Sequence, residues 1–276
     1  MIARIARLTA AEFLKLSAQP FLYLAIAVLL GSTLLAEWLM PYLHGQTETI
    51  WKTFNAVQLF AYGFRVGLQI ATMVLLVFSS MMFAGEFDRG TIKNLLTRPV
   101  TRAEFFIAKC LTVTSLAVLL FGFVFYISLL YALWRGDLGA VWDDSGFRIQ
   151  RSFHEISGHA RKAVGMSFLC FLAAGFLGIL VSNMTESSGY AVAIGLVVFL
   201  FGDLITGMMT DRAKQKVFLY YAPYALDKLA QFGEGTTTRW NPDIDSGLLY
   251  LTVPAIYIVA FIPLAFSIFR SRNISA

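Results

Sequence analysis

Charge is what this sequence has little of. Asp, Glu, Lys and Arg make up 14% of its 276 residues, where a soluble globular domain carries about 25%. A chain so poor in charge, and 58% hydrophobic, reads as a polytopic membrane protein on composition alone. Cysteine is scarce as well. Cys110 and Cys170 both fall in apolar runs, make no zinc-type spacing and point to no disulfide. The phosphate-cradling pattern G-x-x-x-x-G-K-[ST] is absent, so the usual nucleotide loop is not built here. No G-x-S-x-G turn is present, which leaves a serine-hydrolase reading without its nucleophile. His154, Glu155 and His159 are spaced H-E-x-x-x-H rather than H-E-x-x-H. Residues five apart do not share a helix face, so no metal site is expected, and the trio reads as part of a solvated outer loop. No catalytic residue is expected. The net charge of +5 does not mark nucleic-acid binding, because the basic residues lie beside apolar runs. No A-x-A cleavage site follows the first apolar run, which is too long for a signal-peptide core and is expected to stay as a span.

What the sequence does have is apolar length. Six runs stand out: Phe21–Met40, Val66–Ala84, Cys110–Trp134, Ala163–Thr185, Ser188–Met209 and Gly247–Phe269. A bilayer takes roughly 20 helical residues to cross, so the expectation is an all-α protein with six transmembrane helices. Four of the runs hold no charge; the first holds Glu37 and the fifth Asp203. With Gln69 of the second, these are the polar exceptions at membrane depth, and such residues are functional candidates by default. Glu37 is expected near the outer boundary, and Asp203 is expected to pair with Arg65. The first, second and fifth spans are the candidate seam with a second copy. Pro254 and Pro263 are expected to kink the last span.

Orientation follows from Lys and Arg in short flanking segments. Arg4, Arg7 and Lys15 precede the first span, Arg89, Lys93, Arg98, Arg102 and Lys109 lie around the loop after the second, and Arg270 and Arg272 follow the last. An even number of spans puts all three groups on one side, which is expected to be cytoplasmic. Residues 1–19 form an amphipathic pattern, with Ile2, Ile5, Ala6, Thr9, Phe13 and Leu16 on one face and Arg4, Arg7 and Lys15 opposite. That pattern suits an interfacial helix against anionic lipid. In the outer loop at 210–246, the aromatic run VFLYYAPYALDKLAQF predicts a packed or partly embedded helix.

The most informative stretch is 86–104, EFDRGTIKNLLTRPVTRAE. Glu86 and Asp88 read as the start of a short helix, where acids suit the dipole. Ile92, Leu95 and Leu96 share one face at i, i+3, i+4, Pro99 halts the helix, and Thr101-Arg-Ala-Glu104 is a capping box that starts the next one. A simple connecting turn explains the caps and charges but not an apolar face away from the bilayer. The spacing predicts a cytoplasmic helix that touches a partner.

Glu86, Gly90, Thr91, Leu95, Leu96, Pro99, Arg102 and Lys109 together resemble the ABC-2 type permease family. A second, weaker stretch, LGILVSNMTESSGYAVA, resembles it through Leu177, Gly178, Ser182, Thr185 and Ser187. The chain has Glu186 where the family more often has a basic or neutral residue, and Ala108 where Gly is common. The resemblance implies a single ABC-2 type transmembrane domain over 1–276 and a permease subunit of an exporter, not itself an enzyme. It implies a dimer with a second copy or homologue, and a separate cytoplasmic ABC ATPase holding ATP and Mg, with no cofactor in this chain. It also implies a coupling helix in which Glu86, Arg89, Gly90, Thr91, Ile92, Leu95, Leu96, Pro99 and Arg102 meet that ATPase. The expected location is the cytoplasmic membrane of a prokaryote, multi-pass, with both termini inside. The alternative from another class is an ion-coupled secondary transporter or channel using Asp203 or Glu37; it lacks the repeated halves and broken midplane helices such proteins show.

Overall fold

The computed structural model describes residues 2–43, 55–90, 101–137, 141–142, 149–151, 153–234 and 249–272; for a few of these, Asp203 among them, only the backbone is described. Thr91, Ile92, Leu95, Leu96 and Pro99 lie outside the described residues.

The amphipathic arm is helix α1, Ile2–Ser17. Pro20 opens α2, Pro20–Leu43, at the first helical position, where a missing N–H costs nothing. Helices α3, Ala56–Asp88, and α4, Arg102–Arg135, follow. A two-stranded antiparallel ribbon, β1 (Val141–Trp142) with β2 (Ile149–Arg151), comes next. Helices α5, Phe153–Met184, and α6, Ser188–Met208, complete the second group of spans. The short helix α7, Asp211–Lys214, a 3-10 turn at Phe218–Tyr220 and α8, Tyr221–Glu234, lead towards α9, Leu249–Ser271. Six helices are long and apolar enough to cross a membrane, so the fold is all-α apart from the small ribbon.

Two helices begin earlier than hydropathy predicts. The second span was expected from Val66, but α3 starts at Ala56, where Asn55 caps it by accepting from the Val57 N–H. The fourth was expected from Ala163, but α5 starts at Phe153. His154, Glu155 and His159 therefore sit in its first turns and not in a loop. The His159 ring lies 4.6 Å from that of Phe232 of α8, and no cluster of metal-ligating side chains occurs among the described residues. Polar helix ends escape a hydropathy reading because their stability comes from caps and packing.

Helices α3 and α5 form the centre. Gly178 of α5 meets α3 so closely that a Cβ there would lie 1.9 Å from Ser79 Oγ. One turn on, Ser182 Oγ accepts from the Phe83 and Ala84 N–H groups of α3 at 2.9 and 3.0 Å. Phe60 and Phe64 of α3 interlock with Phe121 and Phe125 of α4 at centroid distances of 5.2–6.0 Å. The aromatic segment after α7 is a packed helix, as its composition predicts. Phe218, Tyr221, Leu226, Leu229 and Phe232 are buried, and α8 lies against α3 and α5.

The helix ends fall into two groups. Ala56, Gly136, Arg65, Asp227 and Phe232 gather at one end. The other end brings together α1, the close of α3, the start of α4, the α5–α6 turn and the close of α9. Both described ends of the chain thus share one side, as six crossings require.

Candidate functional site

The termini-bearing end brings together polar side chains from several helices. α3 ends within EFDRG. Glu86 and Asp88, expected to start a new helix, are instead its last turn. Gly90, at φ 63°, breaks it and sends its N–H to the Phe87 carbonyl at 3.0 Å. That left-handed conformation costs any side-chain-bearing residue roughly 1–2 kcal/mol, which is why a glycine stops the helix here. The chain returns at Thr101, whose capping box is present in full. Thr101 Oγ1 accepts from the Glu104 N–H, and Glu104 Oε2 accepts from the Thr101 N–H.

Both roots of the 91–100 connection are braced. On one side stands Lys109 of α4, 1% exposed. Its Nζ donates to Glu12 Oε2 of α1 at 2.8 Å and lies 3.6 Å from Glu86 Oε1 of α3. It also sits 4.9 and 5.5 Å from the ring centres of Phe105 and Phe83. Lys15 of α1 closes the ring, donating to Glu12 Oε1 at 2.7 Å and Glu86 Oε1 at 3.0 Å. A buried ammonium survives only when paired and hydrogen-bonded, and here two carboxylates supply that. Burial works against the Lys15 ammonium, but its bonds to Glu12 and Glu86 outweigh it and hold the proton more tightly than in a free lysine. Beside the network opens a groove of about 650 Å³, walled by Leu8, Leu16, Phe78, Met81 and Met82 and charged by Lys15, Glu86 and Arg89.

On the other side, Asp88 Oδ2 accepts from Ser188 Oγ at 2.6 Å. Arg102 donates to the Arg270 and Arg272 carbonyls at 3.0 and 3.1 Å, satisfying carbonyls at the end of α9 that have no intrahelical partner. Arg272 donates to the Thr185 carbonyl at 3.1 Å and lies over the Phe87 ring at 4.4 Å. The second motif is thereby placed. Gly178 and Ser182 lock α5 to α3, Thr185 receives the C-terminal arginine, and Ser187 begins α6 without a side-chain cap.

The sequence-predicted residues divide accordingly. Glu86 and Arg102 are engaged inside the protein, Arg89 is exposed, and Gly90 is the helix stop. Lys15, expected on the basic outer face of α1, turns to Glu12 and Glu86. Arg65, expected to pair with Asp203, pairs with Asp227 of α8; the side chain of Asp203 lies outside the described residues. Glu37, expected at the boundary, is buried because the early start of α3 covers it. Gln69 is exposed. Glu12 was missed altogether. An acid at 12 sits between the apolar face of Ile5 and Leu16 and Lys15 three residues on, which by itself marks no site.

These features define a polytopic helical membrane protein braced at one end around a charged connection. The chain belongs to the ABC-2 transporter family: the family model described as ABC-2 family transporter protein matches residues 8–202. It is 27% identical over 213 residues to the uncharacterized protein YhcI of Bacillus subtilis (strain 168), with 72% of this chain covered. It spans about 63% of that relative's length. It is also 26% identical over 212 residues to the uncharacterized membrane protein YdbK of the same organism, covering 75% of this chain and 78% of that one.

Proposed function

We propose that this chain is the transmembrane permease subunit of an ATP-binding-cassette exporter, docked to a separate ATPase through the 91–100 connection. Membership of the ABC-2 family supports the transport role. The observation that carries the coupling is the bracing of both roots of that connection. At the α3 root, Asp88 ties to α6 and Glu86 to Lys15 of α1; at the α4 root, Arg102 ties to the close of α9 and Lys109 to Glu12 of α1. A push on the connection therefore reaches five helices at once. ATP and Mg sit in the partner, two permease copies or homologues enclose the path, and the braced end faces the cytoplasm of a prokaryotic cell, as its arginines and lysines favour. The apolar face of Ile92, Leu95 and Leu96 enters the ATPase, with Arg89 as a polar contact beside it. Glu37 lies inside the protomer, so the seam with a second copy falls to other residues of the first, second and fifth spans.

Burying one leucine contributes about 1.5–3 kcal/mol, so two contribute about 3–6 and weaken docking by roughly 10²–10⁴-fold when lost. The double variant Leu95→Asp, Leu96→Asp should insert normally, fail to co-purify with the ATPase, and lose transport-linked ATP turnover. Wild-type retention of the ATPase by that variant removes the docking assignment.

A further inference from the structure

Helix α2 carries a carboxyl into the bundle whose polar neighbour is the Ser128 hydroxyl of α4. Glu37 is 1% exposed. It lies directly on Gly63 of α3, where a Cβ would fall 2.0 Å from Glu37 Oε1. One turn earlier, Thr33 occupies the space beside Gly67, where a Cβ would fall 2.4 Å from Thr33 Oγ1. The pair on α2 is thus keyed into the glycine pair on α3. Thr33 donates to the Leu29 carbonyl at 2.7 Å, but neither oxygen of Glu37 has a hydrogen-bond partner. Nor has the hydroxyl of Ser128, its buried polar neighbour on α4.

Among the described residues, the surrounding helices bring no compensating charge to this point. α2 has no other Asp, Glu, Lys or Arg. On α3 the nearest charge in sequence is Arg65, committed to Asp227, and the nearest tyrosine is Tyr62. On α4 the titratable groups nearest Ser128 are Tyr126 and Tyr131, and Arg135 lies two turns on. An ionised carboxylate without water or a donor is so costly that such a group takes up a proton. The neutral acid gains an O–H donor, which a serine hydroxyl can accept. The carboxyl fills the volume that a Cβ at 63 would need, so the proton is the cation that fits.

We propose that Glu37 is an intramembrane proton-binding site: its carboxyl carries a proton while α2 is keyed against α3, and releases it to water when that seam opens. On closure the carboxylate takes a proton back from water, so the step balances without any other reactant. The inference is independent of the ATPase.

The test uses the purified full chain in lipid nanodiscs and infrared difference spectra near neutral pH. Wild type minus Glu37→Gln should show the carbonyl stretch of a neutral carboxylic acid. Dicyclohexylcarbodiimide, which reacts with the acid form, should add one equivalent to the peptide containing Glu37, with the yield falling as pH rises. Ser128→Ala keeps every charge and should shift the acid band by removing the hydroxyl that the acid O–H can donate to, which supplies the reading even if Glu37→Gln does not fold. A wild-type spectrum near neutral pH with no buried-acid band, or a difference spectrum showing only ionised carboxylate, overturns the proposal.

Discussion

At the termini-bearing end, four charged side chains from three helices close on one another around Lys109. At the opposite end, the ion pair of Arg65 and Asp227 is more than a third exposed on both sides, and rings and close backbone also make contact there, such as His159 on Phe232 and Gly136 on Ala56. The two ends answer different demands. Charges taken out of water hold a geometry because misplacing one leaves the others unpaired. Apolar and aromatic packing tolerates small slides with little loss. One end is suited to move as a unit and the other to adjust.

Removing one charge from each end measures that contrast. Lys109→Met leaves Glu12 and Glu86 facing each other with Lys15 alone, and should cost about 3–5 kcal/mol of stability, read as a lower thermal midpoint in detergent. Lys109→Met combined with Glu12→Gln should recover part of the loss, because fewer unpaired charges remain buried. Next in size is Gly90→Ala, which places a side chain at φ 63° and should cost about 1–2 kcal/mol. Hydrogen exchange should locate that loss in the last turn of α3. Smallest is Arg65→Ala, an exposed pair worth about 0–1 kcal/mol; its midpoint should stay close to wild type. Equal losses from Lys109→Met and Arg65→Ala would erase the distinction between the ends.

The sequence made the six spans legible because a run of apolar residues is its own signal. It hid the first ten residues of α3 and α5, where capping and packing hold polar turns in a helix. The capping box at Thr101 and Glu104 was readable, since its spacing is local. The Glu12–Lys109 contact was not, because the two residues are far apart in sequence and a single acid on an amphipathic arm has no pattern. Ser182 was visible as part of a motif. That its hydroxyl accepts from two backbone N–H groups of α3 depends on a close helix crossing that periodicity alone does not specify. The misread start of a helix at Glu86 has a simple cause: acids suit a helix beginning, yet here Glu86 and Asp88 are engaged by Lys15 and Ser188 at a helix end.

The braces on Arg102 and Thr185 come from the final described residues of α9, and this sets an order of events during synthesis. Until α9 has been made, the α5–α6 turn lacks Arg272, and Arg102 lacks the carbonyls it will cap. The nascent chain can place its earlier helices first, but this face of the molecule is finished only once α9 has joined them. A partner that recognises the finished face is thereby kept from engaging an incomplete chain.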